Sequence, residues 1–93
     1  MIRSFRDNTT EAVFNGTCPK GFQSNILRVA RRKLRMIEAA SELNDLRVPP
    51  NNNLHPLYKD REGQHAISIN DQYRVCFVWY KGDAYNVEIT DYH

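Results

Sequence analysis

From Ser24 to Glu42 the apolar residues Leu27, Ala30, Leu34, Ile37 and Ala40 recur at steps of three and four. That spacing gathers them on one face of an α-helix. Arg28, Arg31, Arg32, Arg35, Glu38 and Glu42 fall on the other side. A helix divided in this way has to lay its apolar face on a second layer, so the rest of the chain must supply one. The helix ends before Val48-Pro49-Pro50-Asn51-Asn52-Asn53, where two prolines and three asparagines are expected to forbid regular structure.

The layer lies in the second half. His65-Ala66-Ile67-Ser68-Ile69 alternates, Asn70-Asp71 supplies a turn, and Tyr73 to Tyr80 is an aromatic and β-branched run suited to a central strand. Lys81-Gly82-Asp83 turns the chain again and Ala84 to Thr90 returns it, giving a three-stranded meander. Ile2 to Phe5 is expected to add a short strand, and Thr9 to Gly16 a short helix closed by its glycine. The expected fold is α+β, one domain over residues 1–93, with two N-terminal helices packed on one face of a small antiparallel sheet.

Hydrophobic residues make up 41% of the chain, enough for a core and against wholesale disorder. No apolar run exceeds Val75 to Tyr80, which argues against a transmembrane helix and a membrane partner. Met1 to Arg6 offers no apolar stretch for a secretory signal, so the cytoplasm is the expected address. Cys18 and Cys76 lie far apart without Cys-x-x-Cys spacing and are expected to be free thiols.

Layering helices on one side leaves the other face of the sheet open. On the central strand, Tyr73, Val75, Phe77 and Trp79 share one face, and Arg74, Cys76, Val78 and Tyr80 share the other. An arginine in mid-strand is costly to bury and, on the open face, becomes a fixed cation suited to a phosphate. The chain also carries His55 in an extended Leu54-His55-Pro56-Leu57 segment, and ends on Asp91-Tyr92-His93. If the last strand continues to the end, Asp91 and His93 project on the same face.

These groups match what metal-free RNA cleavage needs. A base takes the proton of the 2′-OH, an acid protonates the leaving 5′-oxygen, and a cation stabilises the phosphorane. Histidine titrates near neutral pH and suits both transfers. The catalytic candidates are His55, Arg74, Asp91, Tyr92 and His93, with acid and base open between the two histidines. Arg28, Arg31, Arg32, Lys33 and Arg35 form a basic block, and Lys59 and Arg61 add charge downstream, so a polyanionic partner is expected. His65 reads as polar surface. No His-x₃-His or Cys/His spacing supports a metal, and no Gly-rich phosphate loop supports a nucleotide, so no cofactor is expected.

In order and spacing, Ala30-Arg31-Arg32-Lys33-Leu34, Asp45 to Pro50, Ile67 to Phe77, Gly82 to Tyr85 and the terminal Asp91-Tyr92-His93 resemble HigB-type toxins of the RelE superfamily. The resemblance covers essentially the whole chain. It implies a ribosome-dependent messenger-RNA endonuclease acting in the A site. It also implies a helix-turn-helix antitoxin, through which alone the toxin would meet operator DNA. Relatives often carry Lys-Gly where this chain has Tyr58-Lys59, so a phosphate-contacting lysine does not transfer directly. The same fold also carries ParE-like toxins that inhibit DNA gyrase without cutting RNA, the alternative reading.

Overall fold

The structure, a computed structural model, describes Met1–Tyr92. The first helix, α1, spans Asn8–Phe14, with Asp7 as its cap: Oδ1 accepts from the Thr10 amide at 2.7 Å. The second, α2, spans Ser24–Ala39. It stops three residues short of the expected Glu42 because the chain caps a new element there. The Asp45 carboxylate accepts from the amides of Ser41 and Glu42, both at 3.0 Å, and a 3₁₀ helix runs over Leu43–Arg47. The proline–asparagine segment is not wholly irregular either, since Pro50–Asn52 forms a single 3₁₀ turn.

Four strands follow: β1 (His55–Pro56), β2 (His65–Ser68), β3 (Tyr73–Tyr80) and β4 (Asp83–Asp91), in the sheet order β1-β2-β3-β4 and all antiparallel. The meander is as expected, but the N-terminal segment is not a regular strand. Ile2 and Phe5 make isolated parallel bridges to Ala84 and Val87 on the free edge of β4. Side chains fix this segment too: Glu38, expected to face water, accepts from the Ile2 amide at 2.7 Å, and Asp83 pairs with the N-terminal amine and Arg3.

Both helices cover one face of the sheet. Ala30, Leu34 and Ile37 of α2 join Val13, Ile67, Val75, Phe77 and Val87 in the main core, with Tyr73 and Trp79 packed at its border. Each large apolar side chain removed from water there contributes about 1.5–3 kcal/mol. On the far side a smaller cluster of Leu57, Ala66 and Cys76 is buried beneath the β1–β2 connection. That face is therefore partly floored, leaving the region around Arg74 as its open end. No helix among the described residues is long and apolar enough to cross a membrane.

Lys33 is 2% exposed although it stands in the basic block. It lies three residues after Ala30 and four before Ile37, squarely on the apolar stripe, and its Nζ donates to Asn52 Oδ1 at 2.5 Å. Burial, with the nearby charge of Arg32, holds its pKa below the ordinary lysine value.

Candidate active site

Strand register builds the site. Ser68 on β2 and Thr90 on β4 stand directly opposite Arg74 on β3, so the three share the face turned away from the helices. Two residues along, Ala66, Cys76 and Glu88 form the adjacent row. Arg74 is half-buried, and its Nε has no hydrogen-bond partner. Its guanidinium carbon lies 5.0 Å from the centre of the Tyr92 ring. A cation held over an aromatic face is fixed there by the ring quadrupole. Tyr92 is itself pinned twice: its amide donates to Gln72 O at 3.0 Å and its hydroxyl meets Ser68 Oγ at 2.5 Å. Arginine, tyrosine and serine form one compact cluster.

Beside them lies an opening of about 510 Å³ lined by Tyr92, Ser68, Asn70, Asp71, Asn51 and Asn53 among others. Asn53 connects this opening to His55. The Asn53 carbonyl lies 2.6 Å from His55 Nδ1. A carbonyl can only accept, so in the neutral ring Nδ1 carries the proton and Nε2 keeps its lone pair. His55 pairs with Ala66, placing it two strands and one row from Arg74, on the order of 12 Å between Cα positions at ordinary sheet spacings.

The remaining expected site residues that the structure describes fall elsewhere. Asp91 pairs with Tyr73, whose ring borders the main core, so its register alternates it to the helix side of β4 rather than to the side of Arg74. His93 lies outside the described residues. Arg61 donates to Glu88 Oε1 at 2.9 Å, and Arg6 approaches the other Glu88 oxygen at 3.6 Å. Burial opposes the Arg61 charge, but the bond it donates to Glu88 and neighbouring negative charge outweigh it and raise its pKa. Lys59 is exposed.

On α2 the arginines divide. Arg28, Arg32 and Arg35 are exposed, whereas Arg31 is half-buried and donates to the carbonyls of Val13 at 2.9 Å and Thr17 at 3.3 Å. Ser68 and the Asn51–Asn53 loop were not legible as site residues, although a serine alternating with Ala66 on an inner strand was a usable signal. His65, expected on the surface, stacks on Phe77 with ring centres 6.5 Å apart, and its Nδ1 is buried without a partner. No group of three or more His, Cys, Asp or Glu among the described residues is arranged to hold a metal ion.

Comparison with known proteins agrees with this architecture. Residues 3–93 match the family model for the RelE-like toxin HigB of type II toxin–antitoxin systems. Endoribonuclease HigB of Proteus vulgaris is 31% identical over 93 residues, the full length of both chains. Toxin HigB-1 of Vibrio cholerae is 40% identical over 63 residues, covering 68% of this chain and 66% of that protein. A conserved hypothetical protein from Helicobacter pylori, solved in solution, shares the fold with a TM-score of 0.60 at 13% identity, over 99% of this chain and 96% of the other. The chain belongs to the HigB-like family of RelE-type toxins of type II toxin–antitoxin systems.

Proposed function

We propose that this protein is an endoribonuclease that cuts messenger RNA in the ribosomal A site, without a metal, and so arrests translation. The observation that carries the reading is the Arg74 guanidinium held over the Tyr92 ring on the open face, with Ser68 locking the ring in place. A fixed cation is what a phosphorane needs, and stabilisation of this kind is typically worth 10²–10³-fold per group, about 2.7–4 kcal/mol.

In the proposed reaction His55 Nε2 takes the proton from the 2′-OH. The 2′-oxygen attacks the adjacent phosphorus, and the P–O5′ bond breaks as the new P–O2′ bond forms. The 5′-oxygen leaves with a proton from the second imidazole, His93. The products are a 2′,3′-cyclic phosphate and a free 5′-OH. Arg74 neutralises the charge on the phosphorane, and Tyr92 offers a ring to an unstacked base. Each proton-transfer group typically contributes on the order of 10²–10⁴-fold.

A ribosome supports this chemistry physically. The described groups are spread over on the order of 12 Å, and a machine that pins the RNA across them can supply roughly 7–11 kcal/mol through positioning. Arg28, Arg32 and Arg35, with Lys59, would meet ribosomal RNA, and Arg31 and Arg61 are tied to the protein at the margins of those surfaces. A helix-turn-helix antitoxin is the proposed partner that neutralises the toxin.

End mapping tests the reading. Programmed ribosomes with added protein should yield fragments ending in a 2′,3′-cyclic phosphate and beginning with a 5′-OH, while the same RNA without ribosomes stays largely intact. Equal cutting of free RNA, or intact RNA with accumulating DNA breaks in cells, would replace this reading with another.

A further inference from the structure

A second cavity, of about 280 Å³, opens between the Leu43–Arg47 helix and the edge strand β1, and His55 lines it. Its walls are apolar: Leu43, Leu54 and Pro56. Its polar groups are Asn44, Arg47 and the imidazoles of His55 and His65. Arg47 is exposed but not loose, because its Nε donates to Asn44 Oδ1 at 2.8 Å within a helix whose start is fixed by the reciprocal Glu42–Asp45 cap. That bond leaves the terminal nitrogens of a planar, pre-oriented fork at the cavity. His65 lines the cavity with its ring backed by Phe77 and its Nδ1 buried.

Apolar walls with a few polar groups among them are the usual make-up of a small-ligand site, including one for a heteroaromatic ring. In single-stranded RNA such a ring is a splayed base, which stacks on histidine or arginine planes and is read along its edge. We infer that the cavity between the Leu43–Arg47 helix and β1 takes one unpaired nucleobase of the RNA, with Arg47 reading its edge and the His65 side wall bounding it. This rests on the RNA reading of the neighbouring site, to which His55 joins it. Burial, reinforced by the His55 charge, holds the His65 pKa below the ordinary histidine value, so the wall is neutral and suited to a ring rather than to a phosphate. Neither Arg47 nor His65 serves the bond-breaking chemistry proposed above. Their role would be to choose which base sits beside the cut.

Messenger RNA bearing 2′-O-methyl nucleotides in the A-site codon cannot be cut, so it reports binding alone. Abasic residues are placed at successive codon positions, and protein affinity is measured on programmed ribosomes and with free RNA. One abasic position should weaken wild-type binding roughly tenfold or more, and that penalty should vanish in Arg47→Ala and shrink in Asn44→Ala. Both residues are exposed, so both variants should fold. The absence of any position-specific penalty, or the same penalty in both variants, overturns the inference. So does an Arg47→Ala variant that loses affinity for a helix-turn-helix antitoxin instead. Failure of the cleavage reading would show separately, as wild-type protein that leaves unmodified RNA uncut.

Discussion

Lys33 and Asn52, two polar residues both shielded from solvent, meet in the interior with Nζ 2.5 Å from Oδ1. Asn52 then donates to the carbonyls of Leu46 at 3.1 Å and Val48 at 3.3 Å, which satisfies the turn before it. The residue after it, Asn53, adopts a left-handed conformation (φ 50°) and presents its carbonyl to His55. A continuous path thus runs from the middle of α2, through a buried ammonium and amide, to the loop that holds the candidate base. The polar contact deep in the core and the geometry at the surface are parts of one device.

Asn52→Ala should therefore be costly. It strands the Lys33 ammonium in the interior and frees two backbone carbonyls, a loss of about 3 kcal/mol by comparison with other unsatisfied buried groups. Lys33→Met removes the charge together with its desolvation cost and should lose less. Urea unfolding orders the two variants, and a smaller loss for Asn52→Ala than for Lys33→Met would contradict the account.

Tyr92→Phe keeps the ring under Arg74 but deletes the hydroxyl bonded to Ser68. It should lower stability by about 1 kcal/mol and leave most of the cleavage rate. Tyr92→Ala also removes the cation–π contact and should depress the rate much further. Parallel melts and single-turnover assays separate the two effects, and equal rates for both variants would show that the ring is idle.

The His65 ring has a folded pKa below its unfolded value, so the unfolded chain binds the proton more readily. Its contribution to stability is complete above pH 6.5, the unperturbed histidine value. It is lost as pH falls from about 6.5 toward the depressed folded pKa, because stability rises with pH wherever the unfolded state holds more protons. His65→Phe keeps a ring against Phe77 and should flatten the stability profile in that window. A variant as acid-sensitive as the wild type would locate the titration elsewhere.

The arginines of α2 should separate by role. Replacing Arg28, Arg32 and Arg35 with alanine should weaken ribosome binding and reduce the slope of log affinity against log salt by roughly 0.7–0.9 per lost phosphate contact, with the melting temperature unchanged. Arg31→Ala should instead lower the melting temperature, since it vacates the carbonyls of Val13 and Thr17. An unchanged slope in the triple variant would remove α2 from the ribosome-facing surface.

Much of this arrangement was legible in the chain itself. Alternation along Tyr73–Tyr80 assigned Arg74 to the open face, and the step of three and four found α2. The partners of Arg74 were hidden because register depends on turn geometry: the Asn70 side chain accepts from the amides of Gln72 and Tyr73, which closes the β2–β3 turn, and that contact sets Ser68 opposite Arg74. Lys33 shows the reverse case. Its charge put it in the basic block, although its spacing from Ala30 and Ile37 falls on the apolar stripe, and only the fold supplied a buried amide to receive it. Asp91 was read from a last strand continuing to the end, and β4 does reach it, but which face it takes depends on register, and pairing with Tyr73 carries it to the helix side.

The central claim is that the Arg74 cluster is where RNA is cut. Single-turnover cleavage of messenger RNA on programmed ribosomes tests it most directly, with Arg74→Ala and Arg74→Lys compared at matched melting temperatures. A loss of about 10²–10³-fold for alanine, partly restored by lysine, is the predicted result. A folded Arg74→Ala protein that cuts at the wild-type rate would contradict it.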